Sequence, residues 1–188
     1  MNDVTLSEVR PVGLVSEALN ADVSLVYRYS QVVETRRSTW HTIEILDTPA
    51  YGRVLRLDGV TMTSERDDFF YHENLVHVPA VAHLQPVDVA IIGGGDGGAL
   101  RELLKHGCVE RVSLVELDLS VVELSSRHLH GIHNGAFRDG RVTLHFADGR
   151  SWLRRRDEQY DLLLLDLTDP IGAAHALYTA EFYSLCRG

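Results

Sequence analysis

The chain is almost without lysine. Lys105 is the single Lys among 18 basic residues, the other seventeen being Arg, and no functional account of that bias follows. Two cysteines, Cys108 and Cys186, exclude a disulfide framework and a four-cysteine zinc site. Long apolar runs are lacking too. The most notable, Leu162 to Leu165, is cut off by Asp166, far short of the ~18 residues of a membrane span. The start, Met1-Asn2-Asp3-Val4, has neither the basic end nor the apolar stretch of a signal peptide, so none is predicted. Bases are outnumbered, 27 acids against 18, for a formal net charge of −9. Such a surface repels phosphate backbones and argues against nucleic-acid binding. What is present is 188 residues, 45% hydrophobic, which suits one main domain plus a small extra piece. A cytoplasmic enzyme or small-ligand binder is the expectation.

The first 40 residues are weakly patterned, with one strand predicted over Val23 to Val33. Thr42 to Leu46 and Arg53 to Leu57 then alternate like strands about a turn, and Asp58-Gly59 is a tight-turn dipeptide leading into Val60 to Thr63. This is a small antiparallel β unit. Arg66 to about Val78, free of Gly and Pro, predicts a helix. After Pro86, strands (Val87–Ile92, Arg111–Leu117, Val142–Phe146, Tyr160–Leu165) alternate with helices (Ala99–His106, Leu119–Leu129, Ser151–Arg155). That alternation specifies a parallel sheet with helices on both faces. The Leu162–Leu165 strand, buried on both faces by its composition, is expected at the sheet edge. His128, His130 and His133 flank Gly131 near Asn134-Gly135 and are expected in a polar loop, and no metal site is expected.

The strongest local motif is Ile91-Ile92-Gly93-Gly94-Gly95-Asp96-Gly97-Gly98, in which glycines at 93, 95 and 98 follow a strand and open a helix. Glu116 lies 18 residues beyond Gly98, at the end of the next strand, where a carboxylate accepts ribose hydroxyls. Asp96, inside the glycine loop, would repel a pyrophosphate and attract a cation, which favours an adenosyl ligand carrying a positive sulfonium over a dinucleotide. Asp148-Gly149 follows the third strand, where a turn or a contact to an adenine amino group are both open. Asp166 and Asp169 follow the fourth. Ligands bind at the carboxyl ends of strands in open α/β sheets, so these acids converge on one crevice.

Several ordered motifs together resemble the polyamine aminopropyltransferases, the spermidine synthase family. They are Tyr51-Gly52-Arg53-Val54-Leu55, Leu57-Asp58-Gly59-Val60, Ser64-Glu65-Arg66-Asp67-Asp68, Tyr71-His72-Glu73, the Gly93–Gly98 loop, Val115-Glu116-Leu117-Asp118 and Asp166-Leu167-Thr168-Asp169-Pro170-Ile171-Gly172. The resemblance implies an α/β fold: a β-strand domain over residues 1–64, then a methyltransferase-like Rossmann domain over 65–188 whose C-terminal strands are missing. It implies transfer of an aminopropyl group from decarboxylated S-adenosylmethionine, as co-substrate, to putrescine, with no further cofactor, in a homodimer or homotetramer. Asp166 would then be the catalytic proton acceptor. Tyr71, His72, Asp96, Asp166 and Asp169 would line the polyamine site. His41, Gly93, Gly95, Glu116, Asp148, Gly149 and Ala173 would meet the donor. His41 stands where the family carries a Gln, and Ala173-Ala174-His175 where it usually has Pro and a small residue. A methyltransferase using intact S-adenosylmethionine and a non-catalytic member acting as an interaction partner are the alternatives.

Overall fold

The computed structural model describes residues 12–155, 159–170 and 172–187. Strands β1 (Gly13–Ala18) and β2 (Ser24–Tyr29) form an antiparallel hairpin. Strands β3 (Gln31–Arg37), β4 (Thr42–Thr48), β5 (Gly52–Leu57) and β6 (Val60–Ser64) form a second antiparallel sheet in sequence order. The single strand expected over Val23 to Val33 is therefore two. Ser30 separates them, its N–H and hydroxyl both donating to the Asp47 carbonyl at 2.8 and 3.1 Å. The Asp58-Gly59 turn has positive φ at both residues, 51° and 85°, the mirror-type geometry that matches strand twist in a two-residue hairpin.

Helix α1 (Asp68–His83) leads into β7 (Asp88–Gly93), α2 (Gly98–Leu103), β8 (Arg111–Glu116), α3 (Leu119–His128), a short α4 (His130–His133), β9 (Val142–Phe146), α5 (Gly149–Arg154), β10 (Leu162–Asp166) and α6 (Ala180–Cys186). α1 runs past the expected Val78, through Pro79. That residue lacks an N–H to bond within the helix, but burial of Val76 and Ala80 on either side holds the helix together. The four strands are parallel, in the order β10-β7-β8-β9, so their carboxyl ends share one edge. Val89, Ile91, Leu100, Leu103, Leu114 and Leu164 fill the core beneath it. Each fully buried side chain of this kind contributes ~1.5–3 kcal/mol. Among the described residues β10 pairs only with β7, leaving its outer edge open. Only Leu164 of the leucine run is buried; Leu162, Leu163 and Leu165 are half-buried, because an edge strand lacks the flanking layers of a central one.

A second core joins the four-stranded antiparallel sheet to α3 and α4. Ile43, Ile45, Leu55 and Leu57 of the antiparallel sheet pack with Val121, Leu124, Leu129 and Ile132 around α3 and α4. The polar loop expected around His128 to His133 is thereby corrected. Burial of Leu129 and Ile132 draws the segment into helix, and His133 is buried with it.

Candidate active site

The glycine loop is stitched to the end of β10. The Gly94 N–H donates to the Asp166 carbonyl at 3.1 Å. Gly93, with φ +83°, comes so close that a Cβ there would lie 1.9 Å from the same oxygen. Only glycine permits both the left-handed backbone and the approach. The contact delivers Asp96 to Asp166. Oδ1 of Asp96 accepts the Gly98 N–H at 2.8 Å, and Oδ2 faces Nε2 of His72 at 3.5 Å.

His72, on α1, is 1% exposed and sits between carboxylates on both sides. Its Nδ1 meets Oδ2 of Asp68 at 3.2 Å, and its Nε2 lies 4.0 Å from Oδ2 of Asp166. The same Asp68 oxygen accepts from Nη2 of Arg101 at 2.8 Å. One nitrogen or oxygen atom each from His72, Asp96 and Asp166 falls within 4.8 Å of the others. Oδ2 of Asp166 is buried and has no hydrogen-bond partner among the described residues.

Burial opposes charge on every member, and the neighbours decide which groups carry it. For His72, burial is outweighed by the Asp68 and Asp96 hydrogen bonds and the Asp96 and Asp166 charges, and its pKa is raised to about 10. Asp96 is held below the usual carboxylate range: burial works against it, but the His72 hydrogen bond and charge and the Gly98 N–H prevail. Asp166 goes the other way. Burial and the Asp96 charge push it to about 7, against the opposing pull of His72 and Tyr71. A buried oxygen without a donor, beside an ionised acid, is a receptor for a cationic N–H group. The imidazolium form of His72 offers no lone pair, so this set suits an ammonium better than a metal ion.

Glu116, at the end of β8, is also buried. Its Oε2 accepts the Gly95 N–H at 3.1 Å and its Oε1 the Asp118 N–H at 3.0 Å. Burial raises its pKa in spite of those backbone donors. Beyond it, Arg37, Ser38, Trp40, Leu117, Asp118 and Phe146 line an open cleft of about 480 Å³. His41 borders this region through Asp118, with Nδ1 3.2 Å from Oδ2, and Ser38 hydrogen-bonds the same oxygen. The cleft is lined by Leu117 and Asp118, which follow Glu116 in the chain, and does not include the His72–Asp96–Asp166 cluster.

The other expected site residues are placed less centrally. Tyr71 is half exposed; burial and the Asp166 charge raise its pKa. Asp148 is exposed and caps α5, accepting the Ser151 N–H at 2.8 Å, while Gly149 is buried against Ile92. Asp169 is exposed on the loop after β10, outside the cluster, with its charge acting on Tyr178. The side chain of Ala173 lies outside the described residues. Sequence reasoning missed Asp68 and Arg101. Asp68 precedes His72 by four residues, one helical turn, and that spacing was a usable signal; Arg101 reaches Asp68 from another helix and left none.

A parallel α/β sheet with a glycine loop, a buried carboxylate after β8 and a buried acidic cluster at its carboxyl edge defines the class: an open α/β protein of the nucleotide-fold type. Comparisons with known proteins narrow that class. The spermine/spermidine synthase domain matches residues 68–188, and the spermidine synthase tetramerisation domain matches residues 15–65. A polyamine aminopropyltransferase of Nitrosomonas europaea is 45% identical over 171 residues, covering 91% of this chain and 53% of that protein. One from Moorella thermoacetica is 42% identical, covering 89% and 59%. A crystal structure of spermidine synthase with the transition-state analogue AdoDATO superposes with a TM-score of 0.91 at 39% identity, covering 96% of this chain and 62% of that one. The spermidine synthase of Thermotoga maritima gives 0.86 at 37%, covering 96% and 61%. The chain belongs to the spermine/spermidine synthase family. It spans between half and three fifths of the length of these curated relatives.

Proposed function

We propose that this chain transfers the aminopropyl group of decarboxylated S-adenosylmethionine to putrescine, giving spermidine and methylthioadenosine. The observation that carries the reading is the buried, unpartnered Oδ2 of Asp166 beside Asp96 and His72. An alkyl ammonium, with a pKa of ~10, is not a nucleophile until it loses a proton. Asp166, with a pKa near neutrality at about 7, suits proton acceptance at physiological pH. The freed amine lone pair attacks the methylene carbon next to sulfur as the C–S bond breaks. The bonding pair goes to sulfur and turns the sulfonium into a neutral thioether. The proton of the attacking nitrogen passes to Asp166, while Asp96 and Asp169 attract the distal ammonium.

Carboxylates that bind the amine also stabilise its protonated form, so much of the rate must come from alignment of nitrogen, carbon and sulfur. Glu116 would accept the ribose hydroxyls, and the adenosyl group would lie toward the cleft lined by Trp40 and Phe146. Asp148, Gly149 and the loop carrying Ala173 would approach the adenine, His41 would take the place of the family's Gln, and no further cofactor is required. The same reading includes a cytoplasmic enzyme that assembles as a dimer or tetramer and binds no nucleic acid. It is supported by the tetramerisation-domain match and by the acidic charge of −9. No helix among the described residues is long and apolar enough to cross a membrane.

The test is incubation of the chain with decarboxylated S-adenosylmethionine and a panel of amines. Methylthioadenosine and one new polyamine should appear in equal amounts, with putrescine preferred. Methyl transfer from intact S-adenosylmethionine, or no product with any amine, would overturn the reading.

A further inference from the structure

The acid that faces His72 from behind belongs neither to the cleft nor to the His72–Asp96–Asp166 cluster. Asp68 lies one helical turn before His72 on α1, is 6% exposed, and shares its Oδ2 between the imidazole Nδ1 at 3.2 Å and Nη2 of Arg101 at 2.8 Å. Arg101 is held in turn by Oε1 of the buried Glu102 at 2.7 Å and by the Ile132 carbonyl at 2.6 Å. Gly98 packs directly against the ring. The order of groups is therefore Arg101, Asp68, His72 and then Asp96 with Asp166. An imidazole flanked this way has its orientation and its proton set by the acid behind it, as in other carboxylate–histidine pairs that work on a third group.

We propose that Asp68, anchored by Arg101, is a positioning residue of the candidate site: it takes the Nδ1–H of His72 and thereby aims Nε2–H at Asp96 and Asp166. The consequence reaches the proton acceptor of the proposed transfer, on which this part of the inference rests. A doubly protonated His72 places a positive charge beside Asp166 and favours its ionised, proton-accepting form. Without Asp68, the ring keeps Asp96 and Asp166 in front but loses the acceptor that makes the second N–H affordable in a buried place. The titratable and charged groups facing the ring are Asp68 and the neutral Tyr71 on its own helix, Asp96 from the glycine loop, Asp166 from β10 and, through Asp68, Arg101 from α2. Glu116 acts on Asp166 from β8. Arg101 is the one fixed cation of that set, and it is spent on Asp68 and Glu102 rather than on the front of the site.

The experiment is nitrogen NMR of the histidine rings in the full chain, with no substrate present, for the wild type, Asp68→Asn and Asp68→Glu. In the wild type, His72 should show both ring nitrogens protonated at pH 7 and a titration midpoint well above the ~6.5 of a free histidine. Asp68→Asn should lower that midpoint by at least one pH unit, and Asp68→Glu should restore most of it. Where the wild type turns over, the acidic limb of its pH–rate profile should move upward in Asp68→Asn, with little change in KM for the donor. An Nδ1 without a proton in the wild-type chain overturns the proposal, whatever the variants do. So does an Asp68→Asn variant with an unmoved His72 midpoint. A wild type that shows the doubly protonated ring but forms no product leaves Asp68 as the anchor and rejects the aminopropyl-transfer reading instead.

Discussion

Gly98 and the His72 ring are packed against each other so closely that a Cβ on Gly98 would lie 2.2 Å from Cε1 of the imidazole. The last glycine of the loop therefore makes room for a side chain of α1, in addition to any approach of a ligand to the backbone. Gly98 does not have a positive φ, so the penalty for a larger residue is steric rather than conformational.

Gly98→Ala should destabilise the fold by ~1–3 kcal/mol, the usual cost of overpacking a buried contact. Adding His72→Ala to that chain should recover most of the loss, because the clash disappears with the ring. Urea unfolding of both single variants and the double variant closes the cycle. Purely additive costs would contradict the contact.

The pH dependence has two parts with opposite meanings. Turnover should rise with pH through about 7 as Asp166 ionises. Stability should fall over a higher range. The pKa of His72 in the folded chain is raised from 6.5 to about 10, so its contribution is complete below 6.5 and is lost as pH climbs through 10. Unfolding measured at pH 6, 8 and 10 should show this decline in the wild type and a much smaller one in His72→Gln. Equal declines in the two would remove His72 as its source.

Decarboxylated S-adenosylmethionine should bind more tightly than S-adenosylmethionine, since the carboxylate of the latter would meet Asp96, held ionised by His72. Calorimetry with both ligands decides the matter. Equal or reversed affinities would favour the methyltransferase alternative.

Glu116→Gln should weaken donor affinity more than it slows the bound complex. The amide would retain one acceptor for the N–H groups of Gly95 and Asp118 and would present its NH2 to the other, loosening the loop as well as the proposed ribose contact. Donor titration alongside turnover at saturation separates the two effects; a variant with unchanged donor affinity would show that Glu116 only braces the backbone.

Legibility from sequence followed the range of the interactions. The parallel strands, the Gly93–Gly98 loop and the acids at strand ends are local patterns, and each could be read from a few adjacent residues. The pairing of Asp68 with His72 was readable in principle, since one helical turn separates them. Arg101 was not, because it reaches Asp68 across 33 positions of chain and only the packing of α1 on α2 brings them together. His133 misled for a similar reason: Asn134-Gly135 beside it suggests a loop, while burial of Leu129 and Ile132 beneath the antiparallel sheet decides for helix. β1 escaped because Leu14 is exposed while Val15 is buried, so the strand carries no clear alternation of hydrophobicity.

The most direct test of the central claim is turnover of Asp166→Asn beside the wild type, with decarboxylated S-adenosylmethionine and putrescine. Asparagine keeps the shape of the side chain and removes its capacity to accept a proton at neutral pH. The account predicts a ~10²–10⁴-fold loss in the rate of methylthioadenosine formation, with donor affinity little changed. An unaltered rate would contradict the role of Asp166 as proton acceptor.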